Sequence, residues 1–119
     1  MIARTPKPPY YAVIFTSLRS KTVEGYDEMS RLMMKAVTEM EGFLGVESAC
    51  EEVGITVSYW SDIKAILSWR NEKEHQKAQT RGREQWYDSY QVRIAKVERD
   101  YYWKKDTNEN IDHKEYDTH

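Results

Sequence analysis

His75 is the one histidine that precedes the polar C-terminal segment of this chain, and Trp69 lies six residues before it. An imidazole titrates near neutral pH, so His75 is a candidate to accept a substrate proton or to bind haem iron. Six residues span about one and two-thirds helical turns, so in an unbroken helix the two side chains point in different directions. A break in the helix is needed to place both over one pocket.

The charged neighbours of His75 support a second interpretation, in which the ring lies on the solvated side of a helix. Trp69 is equally compatible with a role as a core or interface anchor. Tyr59 and Trp60, at the end of a predicted strand, could flank a planar ligand by stacking. Alternatively, one of them packs in the core and the other against a partner subunit. Arg70 could hold an anionic substrate, although most such arginines form surface ion pairs.

Composition bounds the class of protein. The chain has 119 residues, of which 32% are charged and 39% apolar, with a net charge of −2 and a mean hydropathy of −0.86. This length fits one domain with an aromatic-rich core, and the charge gives no bulk attraction for nucleic acid. No apolar run is long enough for a membrane span, and no export signal is visible. A single cysteine excludes an internal disulfide, so we expect a cytoplasmic protein.

The hydrophobic patterns predict the elements that must position these residues. Strands are expected over 10–18, 43–50, 54–60 and 89–102, and helices over 23–41 and 62–80. Thr22 is the predicted cap of the first helix, which should end at Gly42. Asp62 or Ser61 is the predicted cap of the second, which should break into short pieces near Gly82. Changes of phase predict β-bulges at Gly45 and at 95–96.

The order β-α-β-β-α-β predicts an α+β, ferredoxin-like antiparallel sheet with both helices on one face. The strands carry apolar groups on both faces, whereas the helices cover one. A homodimer with a sheet-on-sheet core would bury the second face, as in a dimeric α/β barrel. The alternative is a monomer with an open aromatic face. The domain is expected over 10–103, between an extended lead-in (1–9) and a polar flexible tail (104–119).

Three motifs carry a resemblance to a known family. They are GFLGVES (42–48), SYWSDIKAILSW (58–69) with the following His75, and REQWY (83–87) with VERDY (97–101). With these motifs the chain resembles the antibiotic biosynthesis monooxygenase family of dimeric α+β barrels, and within it the YqjZ-like branch. The resemblance covers roughly residues 10–103 and implies a site between the sheet and the helices or near the dimer core.

The resemblance implies an oxidoreductase that needs no cofactor and oxidises a small aromatic or polycyclic substrate of the quinol or anthrone type with O2. His75 and Trp69 are then the expected catalytic residues. The expected substrate-binding residues are Tyr59, Trp60, Arg70 and Phe15. Two alternatives stay open. One is haem binding and degradation, for which related enzymes use an Asn on the first strand, where this chain has Phe15, Thr16 and Ser17. The other is a non-catalytic dimer that binds a planar ligand.

Overall fold

The computed structural model describes residues 2–105 and 111–112. The strands are β1 (Tyr10–Arg19), β2 (Phe43–Cys50), β3 (Gly54–Trp60), β4 (Tyr87–Val97), β5 (Tyr101–Tyr102) and β6 (Ile111–Asp112). The helices are α1 (Tyr26–Thr38), α2 (Ile63–Arg70) and α3 (Lys73–Arg81), and a π-helical turn (Gly82–Trp86) follows α3. Most of the predicted tail, 106–110 and 113–119, lies outside the described residues. Among the described residues, no helix has the length and apolarity that a membrane crossing requires.

The main sheet has four antiparallel strands in the order β2-β3-β1-β4. In this register Tyr11 of β1 lies opposite Trp60 of β3, and Val13 lies opposite Ile94 of β4. Side chains from α1 and α2 pack on the face that carries Tyr11, Val13 and Trp60. The predicted ferredoxin-like α+β fold is therefore confirmed, with the helices on one face of the sheet.

Strands β2 and β3 have the predicted bounds, and the predicted bulge near Gly45 is confirmed. The register between these strands shifts between Phe43 and Gly45. At the other end of β2, the thiol of Cys50 is exposed to solvent. The bulge therefore lies at the same end of the sheet as Trp60, where α2 begins.

The bulge predicted at Ala95–Lys96 is wrong. Strand β4 pairs with β1 without interruption from Val97 to Ser89, and its irregularity lies at the other end, between Leu18 and Arg19 of β1. The strand also ends at Val97 instead of continuing to 102. The phase change in the sequence therefore marks the end of the strand, and β5 begins a separate two-stranded sheet with β6.

Helix α1 begins later than predicted, and Thr22 does not cap it. The residue before the helix is Gly25, which has a φ of 78° and offers no side-chain cap. An L residue avoids this left-handed conformation, so glycine is what allows the chain to enter the helix here. The helix ends at Thr38, three residues before the predicted end, and Gly42 adopts the expected positive φ of 88°.

The predicted second helix is two helices. Asp62 caps α2 as expected, because its Oδ1 accepts a hydrogen bond from the Ala65 amide at 2.8 Å. The break falls at Asn71–Glu72, well before Gly82, and Glu72 caps α3 with its own carboxylate. Gly82 instead begins the π-helical turn, where a Cβ would lie 2.8 Å from the Tyr87 ring.

Trp60 lies at the centre of the core between sheet and helices. Its relative exposure is 0%, and its indole Nε1 donates a hydrogen bond to Ser58 Oγ at 2.9 Å. Val37, Ala65 and Ile66 complete the buried cluster from the helix side. The predicted aromatic core is thus built on one indole that is both buried and hydrogen-bonded.

Among the described residues, cover for the opposite face of the sheet is found at one end. Tyr10 is 4% exposed, and the amide of Ala3 in the N-terminal lead-in donates to Glu47 Oε2 at 2.9 Å on this face. At the other end, Leu18 and Ile55 are 48% and 42% exposed. The second apolar face predicted from the sequence is present, and part of it is covered by the chain's own lead-in.

The cap of α2 gives a stability prediction. Asp62→Ala should lower the free energy of unfolding by about 1 kcal/mol, because the Ala65 amide loses its acceptor. Asp62→Asn keeps a capping oxygen and should stay within a few tenths of a kcal/mol of the parent. Urea denaturation followed by circular dichroism measures both. Equal losses for the two variants would show that the cap does not set this stability.

Candidate functional site

The break between α2 and α3 brings Trp69 and His75 together. Their ring centroids are 4.3 Å apart and the ring planes differ by 12°, which is a parallel stack. Both residues are half-buried. The six-residue spacing required a break in the helix, and this break is present at Asn71–Glu72, between α2 and α3.

Glu72 holds this bend in place. Its carboxylate accepts hydrogen bonds from the amides of Glu74 and His75 at 3.1 and 2.9 Å. Its own amide donates to the Trp69 carbonyl at 3.1 Å. These amide contacts lower the pKa of the Glu72 carboxyl against the opposing effect of burial, and the Lys77 ammonium adds a smaller contribution in the same direction. One side chain thus links the end of α2 to the start of α3.

The hydrogen bond of His75 defines its tautomer. Ring atom Nδ1 lies 2.9 Å from the Trp69 carbonyl oxygen. A carbonyl oxygen only accepts hydrogen bonds, so Nδ1 carries the proton and the neutral ring keeps its lone pair on Nε2. Burial lowers the pKa of His75 from its ordinary 6.5, against the opposing effects of the Trp69 carbonyl and the Glu72 carboxylate. At neutral pH the ring is therefore a neutral base.

Trp60 packs against Trp69 on the side of the core. Its ring centroid is 6.3 Å from that of Trp69, with 29° between the planes, and the Phe43 ring meets it edge to face with the centroids 5.3 Å apart. Because Trp60 has no exposed surface, it reaches a ligand only through Trp69. The three rings His75, Trp69 and Trp60 form a stack that leads from the surface to the core.

The other sequence-predicted site residues lie elsewhere. Tyr59 is on the opposite face of the sheet, since neighbours in a strand point to opposite faces, and its hydroxyl donates to Glu47 Oε1 at 2.6 Å. Phe15 packs 5.1 Å from the Tyr90 ring in a separate aromatic cluster. Arg70 is exposed at the last residue of α2. The structure therefore joins Trp60 to Trp69 and His75, but not these three.

Glu72 is the residue that sequence reasoning missed. Its signal is local, since it stands three residues before His75 and could have been recognised as the cap of a new helix. The pairing of Tyr10 with Asp100, whose Oδ2 accepts from the phenol at 2.5 Å, had no such signal because 90 residues separate them.

Two cavities in the described part of the chain lie away from the His75–Trp69 pair. One of about 320 Å³ lies on the face opposite the helices and is lined by Tyr10, Tyr59, Glu47 and Asp100, with residues of the lead-in and of β5. The other, about 290 Å³, is an open groove between the ends of β1 and β4, near Leu18 and Tyr90. Neither is lined by Trp69 or His75.

The residues around His75 do not favour a haem site. Iron could in principle bind Nε2, because the other ring nitrogen donates to a carbonyl as in many metal-binding histidines. The His75 ring covers one face of Trp69, with centroids 4.3 Å apart, so that face of the indole is closed to a planar ligand. Strand β1 (Tyr10–Arg19) contains no Asn, the residue that the sequence resemblance implies on this strand for haem degradation. Within the described residues, no group of three metal-ligating side chains is found.

The chain is similar in sequence to one protein and in fold to several solved structures. It is 48% identical to the uncharacterised protein YqjZ of Bacillus subtilis over 110 residues, which cover 91% of this chain and 96% of that protein. The fold matches SnoaB, a cofactor-independent oxygenase from Streptomyces nogalater, with a TM-score of 0.65 and 8% identity, over 76% of this chain and 94% of that one. A proposed antibiotic biosynthesis monooxygenase from Nitrosomonas europaea matches at 0.63 with 8% identity, over 79% and 94%. No protein-family model matches the chain.

The geometry of His75 predicts its protonation behaviour. Nitrogen-15 NMR of the native protein should show the Nδ1–H tautomer and a pKa below 6.5, because burial disfavours the imidazolium. The unfolded chain then binds the proton more readily, so stability falls as the pH drops from 6.5 toward the native pKa.

His75→Gln should remove this part of the pH dependence of stability, and the same histidine in the urea-unfolded chain gives the reference pKa. An Nε2–H tautomer, or a native pKa above that reference, would contradict the assignment.

Proposed function

Because the chain belongs to the YqjZ-like branch of proteins with the antibiotic biosynthesis monooxygenase fold, we propose that it is a cofactor-independent monooxygenase. Its substrate would be a small aromatic or polycyclic compound of the quinol or anthrone type. The observation that supports this proposal is the His75–Trp69 stack, in which a neutral base lies against an indole ring.

His75 would accept the substrate proton. Its Nδ1–H is held by the Trp69 carbonyl, so Nε2 is the nitrogen with a free lone pair. The low pKa keeps the ring neutral and ready to accept a proton at neutral pH. Once protonated, the imidazolium would stabilise the substrate anion by its charge, and the Trp69 carbonyl would continue to accept from Nδ1.

Oxygen itself would act as the oxidant. An anthrone-like anion can give one electron to O2, and recombination of the two radicals forms a carbon–oxygen bond and a substrate peroxide. Loss of water from that peroxide leaves a carbonyl, so one oxygen atom enters the quinone and the other leaves as water. The overall reaction, R2CH2 + O2 → R2CO + H2O, is balanced without a further reductant.

The part of the Trp69 ring that His75 and Trp60 leave exposed would contact the substrate beside His75. Both rings are half-buried and so retain some exposed surface, whereas Trp60 is fully buried and holds Trp69 from behind. We retain Trp69 and His75 as the proposed catalytic pair. Tyr59, Phe15 and Arg70 are left out of this proposed site, because Tyr59 lies on the opposite face of the sheet, Phe15 packs against Tyr90, and Arg70 is exposed at the end of α2.

We further propose that the active form is a homodimer. The exposed apolar residues Leu18 and Ile55 share the face opposite the helices, at the end that the lead-in leaves uncovered. Half-buried Ile14 and Val57, which pair with each other in the register, extend this surface toward the middle of the sheet. Covering it with the same surface of a second copy would remove it from water.

The activity can be tested with an anthrone or a quinol in the presence of O2. His75→Gln should lower kcat by about 100-fold or more, since a general base typically contributes that much. Trp69→Phe should raise KM and also lower kcat, because it weakens the stack that positions both ring and substrate. Oxygen uptake and quinone absorbance are the measurements.

Gln76→Ala, an exposed neighbour on α3, is the matched control and should leave both constants unchanged. Turnover that survives His75→Gln and Trp69→Phe would overturn their roles. Saturable ligand binding without oxygen uptake would point to a binding module instead. A Soret band on adding haem, lost in His75→Gln, would favour the haem alternative.

The dimer is tested by sedimentation. The parent chain should sediment at twice 14.2 kDa, and Leu18→Glu should shift it to 14.2 kDa because a charge cannot be buried in the apolar contact. Leu32→Glu, which replaces an exposed leucine on α1, should leave the dimer intact. A parent chain that stays at 14.2 kDa at high concentration would exclude this assembly.

A further inference from the structure

We propose that Glu72 is a positioning residue for the base His75 and fixes its ring in the tautomer that leaves Nε2 free. Glu72 acts through the backbone of the two site residues, because its carboxylate binds the amide of His75 and its own amide binds the carbonyl of Trp69. The inference rests on the proposed function for the identity of the base. Its main test reads the ring directly, so the two can fail separately.

The hydrogen bonds of Glu72, His75 and Trp69 form a closed loop. The Glu72 carboxylate accepts from the His75 amide at 2.9 Å, and His75 Nδ1–H donates to the Trp69 carbonyl at 2.9 Å. The Glu72 amide donates to the same carbonyl at 3.1 Å, which completes the loop. The ring of His75 therefore finds its acceptor only while Glu72 keeps the two backbone segments at this separation.

Glu72 also fixes the direction in which α3 leaves the bend. The first amides of a helix have no carbonyl acceptor within that helix, so the residue before it must supply one. Glu72 uses a separate carboxylate oxygen for each of two such amides, from Glu74 at 3.1 Å and from His75 at 2.9 Å. Its carbonyl accepts from the Gln76 amide at 2.9 Å, which is the first hydrogen bond within α3. The backbone position of His75 is thus set by Glu72 from both sides.

The charge of Glu72 has a second effect, on the protonated ring. The carboxylate opposes the effect of burial on the pKa of His75, as the Trp69 carbonyl does. It therefore stabilises the imidazolium that forms when Nε2 takes up a proton. The same side chain orients the neutral base and lowers the free energy of its charged form.

A cap that only stabilises α3 would affect folding and leave the state of the ring unchanged. A positioning residue changes the ring itself, because the nitrogen that carries the proton is set by the partner of the other nitrogen. The tautomer of His75 therefore distinguishes the two roles, and it can be measured without a substrate.

Nitrogen-15 NMR of the His75 ring in the full chain is the test. Glu72→Ala removes both carboxylate acceptors, so the signal should move from the Nδ1–H form toward the Nε2–H form. Glu72→Asp and Glu72→Asn, whose side chains are common helix caps, should retain the Nδ1–H form. Glu72→Gly also lacks an acceptor but is well tolerated at a cap position, so it takes the place of alanine if that variant does not fold.

The matched control is Glu74→Gln, which removes a carboxylate one residue from His75. The Glu74 side chain contacts Lys77 at 3.5 Å on the exposed side of α3, so its loss should leave the tautomer unchanged. Circular dichroism confirms that each variant is folded. A Nδ1–H signal that persists in folded Glu72→Ala or Glu72→Gly would refute the proposal, and so would its loss in both Glu72→Asp and Glu72→Asn, or an equal shift in the control.

Turnover provides a second readout. With an anthrone as substrate, Glu72→Ala should lower kcat by about 100-fold, the scale expected for a reacting group misplaced by about 1 Å, with a smaller effect on KM. In the His75→Gln background the same substitution should lower kcat no further, because the ring that it positions is gone. A full further loss in that background would contradict the proposed role. If the parent chain takes up no oxygen, the proposed function fails, whereas the NMR result still decides the role of Glu72.

Discussion

The burial of the Trp60 indole is the constraint around which the rest of this structure is arranged. With no exposed surface, the ring requires atoms on every side: Phe43 from β2, Trp69 from α2 and the apolar side chains of both helices. Its Nε1 would be left without a partner in such surroundings, and Ser58 two residues earlier supplies the acceptor. The position of α2 over the sheet, and hence of Trp69, follows from packing against this ring.

The sheet separates two kinds of chemistry that are adjacent in the sequence. On the helix side, an aromatic stack ends in a single imidazole. On the other side, phenols donate to carboxylates beneath the N-terminal lead-in. Tyr59 and Trp60 are consecutive residues, yet one belongs to each side because side chains alternate along a strand. The two faces of the sheet therefore carry different chemical groups within one small domain.

Much of the fold could be predicted because its signals are local. Alternation predicted β2 and β3 with correct bounds, and Asp62 was recognised as the cap of α2. The positive φ of Gly42 was also predicted, although α1 ends before it, at Thr38. The same alternation already placed Tyr59 and Trp60 on different faces, so grouping them in one site conflicted with it. The break at Asn71–Glu72 depends on a carboxylate that accepts from backbone amides, which charge and hydropathy alone do not reveal. The contact of Tyr10 with Asp100 joins residues 90 positions apart and required the tertiary structure.

The exposed thiol at the end of β2 has a practical consequence. Cys50 is the chain's only cysteine and it lies at the surface, so a maleimide dye would label the native protein once per chain without any engineering. The same accessibility means that storage in air can join two chains covalently through their thiols, producing a species of doubled mass that has nothing to do with the sheet. A reductant such as TCEP prevents the disulfide-linked dimer, so any remaining particle of doubled mass must be non-covalent.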